Sequence, residues 1–487
     1  MNYCKLFDDC WGNEASGHLV GAGVPKELLE RGDSEGQILR ISLLRGSCII
    51  FVCAGYPGKR FIYEFAARCG IRSVLIDSYD SWAKILLKER VIDHFIGVDM
   101  TAPPDALFQE ALWRIRETGI KPDGVCTFVE LSVTVSARLA RALGCPGPDI
   151  SSVTAARDKF KTREAMVKAG LPHVRNTMIT SETDLRRSAE LIGFPAVLKP
   201  ISGAASLGVR KVRSASEFVE VYRNVLSTIS ELVVASGALE RGTETHAGVK
   251  ASCVIDVSVM MEEYIEGPEF DVDLIMSDGK CRYCDVVDNG PTFEPFFAET
   301  WAAIPSSQNA SVLSEIKNLA IQSVEALGFL DGVFHVELKY TSSGPRLIEV
   351  NARMGGGPTR KIHQLVNGVD LVLEQFFIAV GLPSRPIVAP APQTCVAYAF
   401  INSRSSGVAC DVSFMQAYAS RPHIVWIHVY VKTNERVVGS DEGHPTWLGD
   451  IVVAHPDAQE ALKIAKSTEE EIANEFMSRL IQNTTVT

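Results

Sequence analysis

The sequence contains no long apolar run. None of its stretches approaches the ~20 consecutive apolar residues that a membrane-spanning helix requires. The first residues, MNYCKLFDDCWGNEASGH, include acidic side chains and no apolar core of the kind found in secretory signals. We therefore expect a protein without a membrane partner that works in the cytoplasm.

An excess of basic residues is also missing. The 487 residues include 48 Lys and Arg against 59 Asp and Glu, which gives a net charge of −11. General nucleic-acid binders carry a basic patch or stripe, so no nucleic-acid partner is predicted. A local basic pocket for a nucleotide is still compatible with this balance.

Paired cysteine motifs are absent as well. The 12 cysteines are scattered, and several lie inside apolar runs, as Cys48 and Cys53 do. This usage is typical of reduced core thiols. The segment CRYC, from Cys281 to Cys284, has metal-ligand spacing but no second pair. On a regular strand its thiols would face opposite sides, which disfavours a zinc site.

What the sequence does contain is an ordered series of segments. The length of the chain predicts about three domains. Residues 1–45 show weak periodicity and are interpreted as a loosely packed extension. From Ser47, apolar strands alternate with amphipathic helices, which predicts a doubly wound parallel sheet in an α/β domain over residues 46–150. CAGYPGKR stands where a phosphate loop would, but Cys53 and Arg60 break the Walker pattern.

The next block carries the first candidate anion site. TAARDKFKTREAMVKAGL predicts one charged helix with Lys159 near its start. FPAVLKPISGAASLGVRKV then predicts two strands joined by a loop of small residues, with Lys199 entering that loop. Small residues from Ser202 to Gly208 allow backbone N–H groups to approach a phosphate. A plain hairpin connection is the alternative, and residues 235–251 are interpreted as an insertion.

The strand LIEVNARMGGG, residues 347–357, carries charge on one face. Alternation places Glu349, Asn351 and Arg353 on one side together with Leu347, and Ile348 on the other. Pairing across TSSGP would set Glu337 opposite Glu349, where two carboxylates repel each other unless a cation lies between them. Oxygen ligands suit Mg²⁺. A solvated polar sheet face is the alternative interpretation.

Four motifs in order carry a family resemblance: KP with a small-residue loop and GV, EEYIEGPE, HVEL and EVNARMGG. This series resembles the ATP-grasp superfamily over roughly residues 47–480. Within it, VNARMGG and PTWLGDIVV are similar to the carboxylate–amine ligases that join amino acids, such as carnosine synthases and bacterial L-amino-acid ligases. The resemblance implies a core of two α+β subdomains over residues 151–385 and a C-terminal lid over 386–487.

The resemblance also implies roles for individual residues. Lys159 and Lys199 match the lysines that hold ATP phosphates, and Lys199 and Arg353 are the predicted catalytic residues. The remaining predicted ATP contacts are Ser202, Gly203, Ser206, Gly208, Glu262 or Glu263, Tyr264, Ile265 and the ribose-binding Glu269. The predicted ligands of Mg²⁺ or Mn²⁺, expected as two ions, are Glu337, Glu349 and Asn351.

The predicted function is an ATP-dependent ligase that forms an amide through an acyl phosphate. The alternative is a bicarbonate-using carboxylase of the same fold, although no biotinyl motif is found and the phosphate loop has fewer glycines than is normal there. FFAETWAAIPSS suggests Glu299 and Trp301 as substrate contacts. A surface strand with a packed tryptophan is an equally good interpretation of this segment. Arg353, Gly355 and Gly356 complete the predicted substrate set. Small-molecule amino acids are the expected partners, and a homodimer is left open.

Overall fold

The computed structural model describes residues 20–204, 206–235, 238–241, 249–440 and 442–481. The expected N-terminal extension and the 235–251 insertion therefore lie partly outside the described residues. Among the described helices, none is long and apolar enough to cross a membrane.

The described helices, α1 to α14 in chain order, span Lys26–Leu29, Ser34–Leu44, Arg60–Arg68, Lys84–Lys88, Pro104–Glu117, Val133–Leu143, Ile150–Arg157, Lys159–Lys168, Leu185–Ile192, Ala215–Glu231, Ala310–Ala326, Thr359–Asn367, Leu371–Ala379 and Ala458–Ser478. The described strands, β1 to β22, span Cys48–Val52, Arg72–Ser78, His94–Val98, Gly124–Cys126, Asn176–Ile179, Ala196–Pro200, Arg210–Val212, Leu232–Ala235, Ala238–Arg241, Val249–Lys250, Val259–Glu263, Glu269–Ser277, Lys280–Asn289, Trp301–Ile304, Gly332–Thr341, Gly344–Asn351, Cys395–Asn402, Gly407–Ala409, Ile424–Val429, Arg436–Val437, Trp447–His455 and Leu480–Ile481.

The first domain is built on a parallel sheet of strand order β3-β2-β1-β4. Alternate residues of β1 pack into different apolar clusters, with Ile49 and Phe51 on one side and Ile50 and Val52 on the other. Both faces of the sheet are therefore covered, as strands with continuous apolar runs require. The predicted doubly wound arrangement is confirmed.

Helix α2 differs from the loosely packed extension that the sequence predicts. Its Arg40 and Leu44 are fully buried. The Arg40 guanidinium donates hydrogen bonds to the backbone oxygens of Leu29, Arg31 and Arg385. The buried face of this helix thus includes a long cation, and that polar residue masks the apolar periodicity on which the prediction depended.

The charged helix predicted over residues 154–171 is two helices, α7 and α8. Asp158 lies between them with extended backbone angles (φ −108°, ψ 104°). Its side chain accepts hydrogen bonds from the backbone N–H groups of Phe160 and Lys161, at 3.0 and 3.1 Å. An N-cap of this kind starts a new helix, so Lys159 becomes the first residue of α8.

Two further sheets enclose a cleft. The smaller is antiparallel, with strand order β5-β11-β6-β7, and packs against α9 and α10. The larger has eight strands in the order β16-β15-β12-β13-β14-β17-β21-β19, all neighbouring pairs being antiparallel. Strands β17, β19 and β21 come from the segment predicted as a separate lid. They continue the sheet of the core, and α14 packs on its outer face.

A bulge changes the predicted hairpin. Glu337 pairs with Glu349 as expected, but Lys339, not Tyr340, pairs with Arg346. The register therefore shifts between these two pairs, with Ile348 as the extra residue on β16. One extra residue reverses the faces beyond it, so Leu347 enters the apolar core and Ile348 lines the cleft, opposite to the prediction.

A second bulge affects the cysteine pair. The register of β12 and β13 shifts between Ile275 and Met276, so Leu274 pairs with Cys284 and Met276 with Cys281. The two thiols therefore share a face, where the sequence predicts opposite faces, and the Cys281 thiol donates to the backbone oxygen of Tyr283 at 3.2 Å. Both pack against the same apolar cluster, as core thiols do.

Candidate active site

A single cleft between the two antiparallel sheets gathers most of the predicted site residues. Those that line it are Lys159, Lys199, Gly203, Ser206, Glu262, Glu263, Tyr264, Ile265, Glu269, Glu299, Glu337 and Glu349. They come from six separate segments of the chain, around residues 159, 199–206, 262–269, 299, 337 and 349. Strand alternation in the large sheet and the start of α8 direct their charged groups toward the same space.

Lys199 is a buried cation that shares the carboxylate of Glu262 with Arg163. Its ammonium group is hydrogen-bonded to Glu262, and only 4% of the residue is exposed. The Glu262 carboxylate also accepts from Arg163, whose Nε lies 3.2 Å away. Burial lowers the pKa of Lys199 to about 8. Burial would raise the pKa of Glu262, but the charges of Arg163 and Lys199 outweigh it and lower that pKa.

Arg163 is a residue that the sequence interpretation missed. It is 1% exposed and also donates to the backbone oxygen of Ile348 at 2.8 Å, so it links α8, β11 and β16. Its position one helical turn after Lys159 is the signal that could have identified it, because residues four apart share a helix face.

A lysine and an amide group contact the opposed carboxylates of Glu337 and Glu349. Lys159 Nζ lies 2.6 Å from Glu349 Oε2. Asn351 Nδ2 donates to Glu337 and to Glu349, at 3.3 and 3.2 Å. Burial and repulsion from Glu349 raise the pKa of Glu337 well above its usual range. Burial acts the same way on Glu349, but Lys159 outweighs it and holds that pKa well below its usual range.

The donor set fits a hard divalent cation. The amide N–H₂ of Asn351 now lies where an ion would screen the two carboxylates, so this place favours positive charge. No group of three or more His, Cys, Asp or Glu side chains forms a metal site in the described part of the chain. An ion here would have two carboxylate ligands and, with the Asn351 amide turned so that its oxygen faces the ion, one amide oxygen. It would complete its shell with water and phosphate oxygens, as Mg²⁺ does.

Arg353 lies next to this pair and connects the core to the first domain. Its Nη2 donates to Asn351 Oδ1 at 3.3 Å, and its Nε lies 2.7 Å from Glu130 Oε2. Glu130 also pairs with Arg157 at 2.9 Å. Burial would raise the pKa of Glu130, but Arg353 and Arg157 lower it. Glu130 was not predicted, because it reaches the site only through the packing of two domains.

The loop of small residues presents only part of its predicted surface to the cleft. Gly203 and Ser206 line it, but the Ser202 hydroxyl donates to the backbone oxygen of Arg157 at 3.1 Å. Gly208 does not line the cleft and turns the chain with φ +80°. Ala205 lies outside the described residues.

The predicted adenine hinge has two carboxylates with different partners. Glu262 is committed to Lys199 and Arg163, whereas Glu263 pairs with Arg175 at 2.7 Å. Beyond the hinge, Glu269 lies 3.5 Å from Lys339, which also lines the cleft and was not predicted. Burial raises the pKa of Glu269 to about 7.

A largely buried histidine, His335, lies next to the pair formed by Glu337 and Glu349. His335 Nδ1 is 3.0 Å from Asp273 Oδ1, and its Nε2 is 3.8 Å from Asp271. Burial would lower the pKa of His335, but these two carboxylates raise it to about 10. Asp273 also contacts His363 at 2.8 Å. The cation so formed partly balances the acidic face of the large sheet.

The predicted substrate residues divide into two groups. Glu299 lines the cleft and is exposed there. Trp301 does not line it, because its ring packs on the opposite face of the sheet beneath α14, with Lys466 5.5 Å from the ring centroid. A Cβ atom at Gly355 would lie 2.8 Å from His335 Nδ1, whereas Gly356 faces open space.

Comparison with known proteins agrees with this geometry. The ATP-grasp domain model matches residues 192–361, and the ATP-grasp N-terminal domain model matches residues 63–147. The chain is similar to carnosine synthase 1 from Gallus gallus, with 31% identity over 80% of this chain and 41% of that protein. It is 29% identical to carnosine synthase 1 from Homo sapiens over 86% of this chain and 49% of that protein. The chain thus spans less than half the length of these relatives.

A solved structure agrees with the fold. The L-amino acid ligase from Bacillus licheniformis superposes with a TM-score of 0.72 at 21% identity, covering 88% of this chain and 98% of that chain. ATP and Mg²⁺ are used generally in proteins with this domain. The two matching domain models, the sheet arrangement and the cleft place this chain in the ATP-grasp family.

Proposed function

We propose that the protein is an ATP-dependent carboxylate–amine ligase that forms an amide bond through an acyl phosphate and releases ADP and phosphate. The observation that carries this proposal is the position of Arg353. Its guanidinium is hydrogen-bonded to Asn351 beside the opposed Glu337 and Glu349 carboxylates, where the phosphoryl group of a nucleotide would arrive.

The nucleotide would lie along the cleft from the hinge to the carboxylate pair. Tyr264 and Ile265 line the part of the cleft where the base would lie, and Glu269 lines it where it could accept from the ribose. Lys199 and Lys159 then supply the charges for the phosphates. Both lysines form ion pairs with carboxylates in the structure, so bound phosphates would share or replace these ion pairs.

Glu337, Glu349 and Asn351 would hold Mg²⁺ or Mn²⁺, and we propose two ions. When bound, such ions neutralise the charge of bridging phosphate oxygens and align donor and acceptor. The residues of the chain do the remaining work by binding and orientation. No side chain needs to act as a covalent nucleophile.

The chemistry follows from the weakness of a carboxylate as an acyl donor. Phosphorylation converts one carboxylate oxygen into a leaving group, and attack by an amine then expels phosphate. Negative charge collects on the bridging oxygen as the C–O bond breaks. The planar fork of Arg353 can bind two oxygens at once, which a lysine cannot do.

We further propose small-molecule amino acids as substrates. The names of the carnosine synthases and of the L-amino acid ligase support this class. An acidic group at Glu299 is suited to a substrate ammonium group. A cytoplasmic location accords with the free thiols of Cys48 and Cys126. A homodimer stays a prediction.

An isotope experiment tests the mechanism. With ¹⁸O in the carboxylate of the acid substrate, we expect one labelled oxygen per turnover in the released phosphate. Arg353→Lys should still bind ATP but lose most of this transfer. Absence of ¹⁸O from the released phosphate during wild-type amide formation would contradict the acyl phosphate, and release of ¹⁸O-labelled AMP would indicate adenylation.

A carboxylase would differ from the proposed ligase in the substrate that it requires. Phosphate release would then depend on bicarbonate and not on an amino-acid pair. We expect amino acids to stimulate release in bicarbonate-free buffer, with mass spectrometry detecting the amide.

A further inference from the structure

The large sheet continues beyond Glu299 into its C-terminal strands, in the order β14-β17-β21-β19. Cross-strand partners share a face: Phe400 pairs with Asp450, Asp450 with His428, and Asn402 with Trp447. Alternation adds Trp426 to this face, and Tyr430 follows directly after β19. We call Phe400, Trp426, His428, Tyr430 and Trp447 the aromatic wall.

The rings of this wall lie in ordered pairs. Phe400 and Trp447 stack with centroids 4.9 Å apart and planes 19° apart. Trp426 and His428 stack at 5.3 Å and 27°. The side chain of His428 is 57% exposed. Nearly parallel pairs leave flat ring faces at the surface, a shape that suits another planar group.

A buried carboxylate fixes the orientation of three of these rings. Asp450 is 1% exposed and accepts from Trp426 Nε1 at 3.0 Å and from the Tyr430 hydroxyl. Its Oδ1 is also 3.2 Å from His428 Nδ1. Burial of a carboxylate is costly unless donors surround it. These donors satisfy Asp450, so it acts on the wall as a positioning residue.

The wall is continuous with the proposed reaction site. Asn402 Nδ2 donates to the backbone oxygen of Glu299 at 2.7 Å, and Phe400 N donates to that of Thr300 at 2.8 Å. From the other side, Tyr56 of the first domain meets Tyr430 edge to face at 6.5 Å. The wall therefore extends from Glu299 to the loop after β1.

Two polar atoms on this face lack partners among the described residues. They are the buried Oδ1 of Asn402, a residue that is 3% exposed, and the buried Nε1 of Trp447. Such atoms are costly to leave unpaired. One is an acceptor and the other a donor, as the contacts of a polar amino-acid ligand require.

We propose that the aromatic wall is the side-chain subsite for an amino-acid substrate with a planar, aromatic side chain. This inference rests on the proposed ligase function and names the substrate class for that site. The ring of the substrate stacks on the exposed face of His428, whose other face lies on Trp426, while its ammonium group lies toward Glu299. Aliphatic side chains gain only apolar contact there.

Two measurements on the full chain test the inference. The first is equilibrium binding of phenylalanine and of leucine, by calorimetry with a non-hydrolysable ATP analogue present. The second is kcat/KM for the same amino acids in phosphate release. We expect phenylalanine to be favoured about tenfold, since a ring stack is worth up to about the free energy of one decade in affinity.

Trp426→Leu should remove this preference, mainly through KM, while ATP affinity is unchanged. The matched control is Trp113→Leu, because Trp113 is 57% exposed on α5 of the first domain; it should keep the preference. Equal binding of phenylalanine and leucine by the wild type, or an unchanged preference in Trp426→Leu, would overturn the inference. Selective phenylalanine binding without any amide product would instead contradict the ligase proposal and leave the subsite supported.

Discussion

At the scale of single residues, the cleft depends on buried charges that are paired before any ligand arrives. Lys199 and Arg163 share Glu262, and Lys159 holds Glu349. A buried charge without a partner is strongly destabilising. These pairs therefore keep the cations in place, and bound phosphates can take over part of their neutralisation.

Lys199 leads to a prediction about pH. Because burial lowers its pKa to about 8, it is protonated at neutral pH and loses its charge as the pH rises through that value. ATP affinity measured by calorimetry should thus fall as the pH rises above about 8. Lys199→Met should bind ATP more weakly and lose this fall. Arg163 would still pair with Glu262 in that variant, so its fold should persist.

A control ligand without phosphates should not show this decrease in affinity with rising pH. Adenine lacks both the ribose and the phosphates and would contact only the hinge, so its affinity should be the same at each pH. A wild-type ATP affinity that does not change between pH 7 and 9 would contradict the role of Lys199.

At the scale of elements, short irregularities place the functional groups. Asp158 ends one helix and starts the next, which puts Lys159 at the first position of α8. The extra residue at Ile348 lets Leu347 and Glu349 serve different faces of one strand. Both features are local departures from regular structure, and each directs a side chain that regular geometry would misplace.

The cap of α8 is testable. Asp158→Ala should lower stability by about 1 kcal/mol, the usual cost of losing an N-cap, and should weaken ATP binding by freeing Lys159. Asp158→Asn keeps an acceptor for Phe160 and Lys161 and should retain most of both properties. Urea unfolding and calorimetry measure the two effects. If the alanine variant bound ATP like the wild type, the cap would have no part in positioning Lys159.

At the scale of the whole molecule, the first domain completes the site. Glu130 follows β4 and binds Arg353 of the core, more than two hundred residues later. Arg157 binds the same carboxylate. Domain packing therefore sets the orientation of the Arg353 guanidinium, which we propose binds the phosphoryl group.

We expect Glu130→Gln to lower kcat by about tenfold or more, because hydrogen bonds to a charged group are stronger than neutral ones. ATP affinity should stay near the wild-type value, since the hinge and the lysines are untouched. Glu110→Gln on the outer helix α5 is the matched control. The assignment would be wrong if kcat were unchanged, or if only ATP binding were lost.

Local pattern predicts a large part of this molecule. Period-two alternation places Glu337, Glu349 and Asn351 together, and the alternation of strands with helices predicts the parallel sheet. Both depend on residues close in sequence, where geometry is set by the backbone. The same reasoning failed at Leu347 and Ile348, because a bulge of one residue leaves no compositional mark.

The sequence by itself determined the ordered motifs, the family and the polar face of the strands around residues 335–351. Only the tertiary structure decided that Glu130 meets Arg353, that Trp301 faces away from the cleft, and that Asp450 holds an aromatic wall beside Glu299. These contacts join segments far apart in the chain. Their geometry depends on how sheets curve and domains pack, and so on the sum of many weak contacts that no single segment encodes.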